Sequence, residues 1–170
     1  APLAIEACNQ TASLLSFTYK PMYVLPTTLP PHTPAPPVKP ILKWAGGKRW
    51  LAPLLLPLWR QHHWRRLVEP FCGGLAITMH LQPQQALLND ANPHLINFYQ
   101  WVQRGLVPGL PMANDRTVYD AYRERFNQMI ARGQTGTQQA AELFYYLNRT
   151  GYNGLCRFNR QGAFNTPYGR

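Results

Sequence analysis

The stretch Arg66-Leu67-Val68-Glu69-Pro70-Phe71-Cys72-Gly73-Gly74, followed by Gln85-Ala86-Leu87-Leu88-Asn89-Asp90-Ala91-Asn92-Pro93, decides the fold. An apolar run that ends in an acid and two glycines reads as a buried strand turning into a helix over residues 75–80. Residues 86–88 form a second short apolar strand. Asn92 is a favourable helix N-cap and Pro93 a favourable first helical residue. In the helix that follows, Leu95, Phe98, Tyr99, Val102 and Leu106 share one stripe at core spacing. Two strand-to-helix units in succession predict an α/β class with a parallel sheet, in which ligands bind at the carboxyl ends of the strands. Glu69 and Asp90 are the acids at those two tips, 21 residues apart. An acid about 20 residues beyond a glycine turn is placed to accept hydrogen bonds from ribose hydroxyls, which favours a nucleoside-type cofactor. The glycines let a ligand approach the backbone. The full G-x-G-x-x-G pattern is absent, which argues against a nicotinamide or flavin dinucleotide. Taken singly, a bland glycine turn and a surface aspartate remain the alternatives.

Upstream, Ile41-Leu42-Lys43-Trp44-Ala45-Gly46-Gly47-Lys48 places two glycines before a lysine, as for backbone amides and an ammonium around an anion or polar ligand. It is not a P-loop: no glycine lies five residues before Gly47, and Arg49 stands where Ser or Thr would hold magnesium. A plain turn before a helix is the alternative. Residues 1–40 hold nine of the 17 prolines and no glycine. The prolines at 26–37 forbid a helix, so this segment reads as an extended linker or a disordered arm. No basic stretch precedes an apolar one as a signal peptide requires, and the first residue is Ala rather than Met, which leaves room for residues upstream.

The whole is 170 residues and 19.5 kDa, the size of one domain with a real core. It carries 17 Lys and Arg against seven Asp and Glu, a net +10. Fifteen of those cations and six of the acids lie in 41–170, so the positive charge belongs to the folded part and points to a polyanion such as nucleic acid. No apolar run approaches the ~20 residues of a membrane span. Cys8, Cys72 and Cys156 are odd in number and far apart, which speaks against a disulfide scaffold or zinc ribbon and for a reducing cytosol.

Further on, Thr117 and Asp120 resemble a capping box, with Tyr119, Tyr122, Phe126, Met129 and Ile130 as the buried face and Gly133 as the stop. Arg123 and Arg125 read as a solvated face. Ala140, Phe144 and Leu147 mark a helix ending near Gly151. From Asn148 onward, Arg, Asn and aromatic residues alternate with Gly, and a hairpin turning near residues 159–162 is predicted. Arg suits phosphates and guanine edges, Asn suits adenine edges, and rings stack on bases. Nucleic-acid contact is therefore favoured over a polar surface hairpin with some buried rings.

These residues carry a resemblance. Leu42 to Lys48, Val68 to Gly74, Asn89 to Pro93 continuing to Tyr99, and Tyr146 to Asn159 continuing to Arg170 resemble, in order, four blocks of the Dam-type DNA adenine (N6) methyltransferases. The resemblance covers the amino-terminal portion of that family. It implies a partial Rossmann-like fold that uses S-adenosylmethionine, over 41–108, with a helical and hairpin DNA-recognition domain over 109–170 behind a Pro-rich arm at 1–40. It implies cofactor contacts at Trp44, Lys48, Glu69, Pro70, Phe71, Gly73 and Asp90. It implies DNA contacts at Tyr152, Asn153, Leu155, Arg157, Pro167 and Arg170, with Arg157 reading guanine, and a double-stranded target often of the GATC type. No metal is implied, and the expected location is the cytoplasm of a bacterium or phage host. Two departures stand out. Leu75 occupies a place where many members carry Gly. The family's catalytic Asp-Pro-Pro-Tyr motif is absent, the only Pro-Pro pairs being at 30–31 and 36–37. The resemblance puts that motif beyond Arg170, so no catalytic residue is expected in this chain. The expectation is a truncated, inactive enzyme or, alternatively, a remnant that only binds DNA or cofactor.

Overall fold

The computed structural model describes Ala4–Cys8, Leu14–Thr18 and residues 38–169. Strands β1 (Ala4–Cys8), β2 (Leu14–Thr18), β3 (Leu67–Glu69) and β4 (Gln85–Asn89) form one sheet in the order β1-β2-β4-β3. Only β3 and β4 are parallel, with Leu67 opposite Ala86 and Glu69 opposite Leu88; the other pairs are antiparallel. Around the sheet and beyond it lie α1 (Ala52–Arg60), α2 (Ala76–Leu81), α3 (Pro93–Gln103), α4 (Arg116–Ala131) and α5 (Gln138–Thr150).

The strand, turn and helix read around Glu69 are present, as is the parallel pairing. The burial of the first strand is only partial: Leu67 and Glu69 on one face are half-buried, whereas Val68 on the other is 51% exposed. Central β4 is the buried strand, with Ala86 and Leu88 in the core. A second difference lies in the amino-terminal forty residues. The sequence suggests an arm, whereas β1 and β2 join the sheet, β2 by backbone pairing along the whole of β4. That pairing supplies partners to a strand edge that would otherwise be open. The Pro-rich stretch at 26–37 lies outside the described residues.

The helix starts follow from side-chain caps. Asn92 Oδ1 accepts from the backbone N–H of His94 (3.0 Å) and Leu95 (3.3 Å), as its identity suggests. Thr137 caps α5 by accepting from Ala140 N–H at 3.2 Å. The start of α4 differs from the Thr117 reading: Asp115 is the N-cap, accepting from Val118 N–H at 3.0 Å. A charged carboxylate at the positive end of the helix outcompetes the later hydroxyl. On α3 the buried face is wide, taking in Leu95, Ile96, Phe98 and Tyr99. It meets Phe144 and Leu147 of α5 and Phe126 of α4 in a cluster that also includes Leu42, Leu75 and Leu88. The α/β part and the helical part thus share one core.

Leu75 enters α2 in the left-handed conformation, φ +58°, with its side chain 1% exposed inside that core. A glycine there would relieve about 1–2 kcal/mol of backbone strain. It would also empty a leucine-sized volume worth about 2–5 kcal/mol. Leu75→Gly is therefore expected to lose about 1–3 kcal/mol in urea unfolding, and a gain in stability would mean that the side chain is not held by its neighbours.

His94 sits 8% exposed among rings, stacked on Phe158 at 4.9 Å and edge-on to Phe126 at 5.1 Å, and its Nδ1 is buried without a partner among the described residues. Burial lowers its pKa below the ordinary 6.5. The unfolded chain therefore takes up the proton first as pH falls, so the neutral ring supports the fold fully above 6.5 and progressively less below it. The melting temperature is expected to drop between about pH 7.5 and about pH 5.5, with a smaller drop in His94→Leu. Equal drops in both chains would remove His94 as the cause.

Candidate cofactor cleft and nucleic-acid hairpin

A cleft of about 580 Å³ opens where β3 and β4 end. Its wall is built from residues 44–48, the turn after β3 and Asp90, with Leu55 and Ile77 contributing from α1 and α2. All seven residues singled out for a cofactor line it: Trp44, Lys48, Glu69, Pro70, Phe71, Gly73 and Asp90.

Three hydrogen bonds staple the glycine turn to the tip of β4, and a fourth ties it to α3. Cys72 N–H donates to the Asn89 carbonyl (2.8 Å), Asn89 Nδ2 to the Pro70 carbonyl (3.0 Å), and Gly73 N–H to Asp90 Oδ2 (2.9 Å). From α3, Tyr99 Oη donates to the Gly73 carbonyl at 2.9 Å. The other carboxylate oxygen of Asp90 accepts from Asn92 N–H at 3.0 Å, so Asp90 also closes the turn that starts α3. Each carboxylate oxygen holds one backbone donor and retains a lone pair.

Glu69 is half-buried, and Thr78 Oγ1 donates to its Oε1 at 2.7 Å. Burial raises its pKa above 4.5, partly opposed by the Thr78 bond. Its negative charge is thus held at a cost that a cation in the cleft would offset. Cys72 and Cys156 are not nucleophiles at neutral pH, since burial pushes them up to about 12 and about 11.

The glycine pair also makes room for a side chain from the upstream segment. A Cβ on Gly73 would lie 2.8 Å from Trp44 Nε1, and one on Gly74 2.7 Å from Trp44 Cβ. Trp44 packs where side chains at 73 and 74 would lie, while both glycines still line the cleft. Lys48 folds back, its Nζ donating to the Gly46 carbonyl at 2.7 Å. Phe71, by contrast, projects outward and is 86% exposed.

At the far end of the chain, Phe158 and Phe164 pair across the expected hairpin, and Gly162 N–H donates to the Asn159 carbonyl at 3.0 Å in its turn. Tyr152, Asn153, Arg157 and Pro167 are exposed and Leu155 is half-buried; Arg170 lies outside the described residues. Arg157 is not loose. Its Nε donates to Asn165 Oδ1 (2.9 Å) and its Nη2 to the Asn165 carbonyl (3.2 Å).

The hairpin is anchored by Asn127 and Thr166, which the sequence did not single out, and by Tyr119 and Arg123, which it assigned to a buried and a solvated helix face. Asn127 takes both backbone groups of Phe164, accepting from N–H at 2.7 Å and donating to the carbonyl at 3.1 Å. Buried Thr166 donates to the Leu155 carbonyl, and its own carbonyl accepts from Tyr119 Oη at 2.9 Å and from Arg123 Nη1 at 3.4 Å. Arg123 also pairs with Asp120 at 3.0 Å, so it is not the free surface cation expected. The signal available in the sequence was the spacing of Tyr119, Arg123 and Asn127, which puts them on one helix face.

The model of the D12 class N6 adenine-specific DNA methyltransferases matches residues 44–170. The chain belongs to this family. Among its relatives, the DNA adenine methylase of Escherichia coli K12 is 40% identical over 138 residues, covering 76% of this chain and 47% of that protein. The DNA adenine methylase of Vibrio cholerae O395 is 37% identical over 139 residues, covering 75% and 47%. The DNA N-6-adenine-methyltransferase of Escherichia phage P1 is 36% identical over 137 residues, covering 76% and 17%. The chain thus spans about half the length of the two bacterial methylases and less of the phage protein. The D12 match opens at Trp44, and it includes every residue named above on the cleft and the hairpin. Among the described residues no helix is long and apolar enough to cross a membrane, and no group of three or more His, Cys, Asp or Glu is placed to hold a metal ion.

Proposed function

We propose that this chain is the donor- and duplex-binding portion of a site-specific DNA adenine methyltransferase that takes methyl from S-adenosylmethionine to adenine N6. The observation that carries the reading is the convergence of seven residues from three separate sequence blocks on one cleft at two strand tips. The β3-α2-β4 unit, with its cleft at the strand ends, supports a partial Rossmann-like fold, and the α4-anchored hairpin supports a DNA-recognition unit.

The cleft's chemistry fits the donor. S-adenosylmethionine, when bound, supplies a methyl group activated by a sulfonium. Asp90, fixed from two sides by backbone donors, offers its remaining lone pairs to ribose hydroxyls. Glu69 offers negative charge to a cationic group. The half-buried Trp44 and outward Phe71 offer apolar faces. Trp44, Lys48, Glu69, Pro70, Phe71, Gly73 and Asp90 would hold the donor.

The hairpin meets duplex DNA. Arg157 keeps Nη1 and part of Nη2 free to face guanine O6 and N7, the commonest specific contact. Tyr152, 50% exposed, offers a ring to an unstacked base, and Asn153, Leu155, Pro167 and Arg170 complete the surface that would face a GATC-type site. An adenine must leave the stack before its amine can be methylated, at a cost of a few kcal/mol. The group that would orient that amine, the Asp-Pro-Pro-Tyr of the resemblance, is not among these 170 residues. These residues alone therefore bind but do not turn over. Such an enzyme works where its DNA is, in the cytoplasm of a bacterium or phage host, and methyl transfer to an amine calls for no metal.

The test is methyl transfer from labelled S-adenosylmethionine to a GATC duplex. No transfer is expected from the 170 residues, and transfer is expected when they are joined to a stretch bearing Asp-Pro-Pro-Tyr from a relative. Transfer by the 170 residues alone would overturn the role given to that motif. Binding without transfer in both cases would favour the alternative, a module that only holds DNA and cofactor.

A further inference from the structure

Asn148 lies near the end of α5 with its side chain fully buried and its amide fully used. Its Oδ1 accepts from the Lys43 backbone N–H at 2.9 Å, and its Nδ2 donates to the Lys43 carbonyl at 2.7 Å. The side chain thus pairs with residue 43 as a neighbouring backbone would. The same Nδ2 donates to the Gly154 carbonyl at 3.2 Å and meets Cys156 Sγ at 3.7 Å. One amide therefore grips two segments, the one that carries Trp44 and the one that begins the hairpin.

Two further contacts hold Lys43 in place, one to α5 and one to the hairpin segment. Lys43 Nζ donates to the Arg149 carbonyl at 2.9 Å. Gly154, at φ +65°, sits so close to Lys43 Cβ that a side chain there would collide. Each segment also faces one candidate ligand. Trp44 packs on Gly73 and Gly74 at the donor cleft, while Asn153 leads into the hairpin and shares a smaller cleft of about 520 Å³ with Trp44 and Gly74.

Resting on the methyltransferase reading, we infer that Asn148 is a positioning residue that locks the Trp44 segment to the root of the hairpin, so that methyl donor and duplex bind with positive linkage. Asn148 itself is sealed from both ligands. A buried amide is tolerated here because all its partners are met, and its loss would strand the Lys43 N–H and two carbonyls. A ligand that steadies one segment steadies the other through this amide, so the ordering cost falls on whichever ligand arrives first. By linkage the factor is the same in both directions.

The experiment measures, by calorimetry on the full 170-residue chain, the affinity for S-adenosylhomocysteine with and without a saturating duplex carrying one GATC, and the reciprocal pair. Each ligand is expected to tighten the other about fivefold or more, by one shared factor. Asn148→Asp, which sets a carboxylate against two carbonyl oxygens, and Gly154→Ala, which pushes against Lys43, are expected to bring that factor to about one in chains shown by melting to be folded. Independent binding in the unaltered chain overturns the inference with no variant needed, as does linkage that survives in both folded variants. Failure of the unaltered chain to bind either ligand overturns the methyltransferase reading itself.

Discussion

Asp90→Ala is expected to weaken S-adenosylhomocysteine binding by about 10- to 150-fold, the equivalent of about 1.5–3 kcal/mol for a lost charged acceptor. The size follows from how the carboxylate is held. Gly73 N–H and Asn92 N–H each occupy one of its oxygens, so it cannot turn away from the cleft without abandoning two backbone donors. An acceptor fixed in advance loses little entropy on binding, and its contribution to affinity is correspondingly large. Alanine would also leave both N–H groups without their partner and loosen the turn that carries Gly73. Asp90→Asn separates the two effects. Its one carbonyl oxygen can keep one of the two backbone bonds, so the fold should suffer less than in the alanine variant while ligand affinity still falls. Urea unfolding measures the first quantity and calorimetry the second. Unchanged affinity in both folded variants would remove Asp90 from the site.

What the sequence disclosed, and what it hid, divides by range. The turn after Glu69, the short strand at Leu88, the Asn92 cap and the hairpin turn at Asn159 are local features, written in residues a few places apart, and the structure has all of them. The start of α4 lies two residues before the Thr117 reading, because Asp115, an acid at the positive end of the helix, takes the cap. Burial was harder. An apolar pair before an acid, as in Leu67-Val68-Glu69, reads the same whether one face of the strand is covered or both, and only the packing reveals that Val68 faces out. The glycine pair was legible as a turn, but its packing against Trp44, about thirty positions earlier, was not. Asn148 was invisible for the same reason, being paired with Lys43 across 105 positions. A conformational requirement leaves a mark in its own neighbourhood, whereas a steric or hydrogen-bonding requirement set by a distant segment leaves none. The seven cleft residues came from three blocks that motif resemblance linked; nothing in any single block says that the others are near.

Arg157→Ala is expected to relax base preference at one position of the duplex by about 1–3 kcal/mol, roughly 5- to 150-fold in relative affinity, with a smaller loss on unrelated sequences. A long, flexible cation would discriminate poorly, since it pays rotamer entropy on binding and reaches phosphate as readily as base edges. Here Asn165 removes much of that freedom by taking Nε and Nη2. Nη1 remains uncommitted, so the guanidinium meets the duplex from one direction. That logic sets a second variant beside the first. Asn165→Ala leaves the charge and the bond to the residue-165 backbone carbonyl in place but removes the Nε partner, so it should blunt the preference for the cognate base while nearly preserving affinity for unrelated duplexes. Competition titrations with duplexes differing at single positions of GATC read both. If Arg157→Ala instead weakens every duplex equally and lowers the salt dependence by about one ion, Arg157 is a phosphate contact, and the hairpin reads sequence with some other side chain.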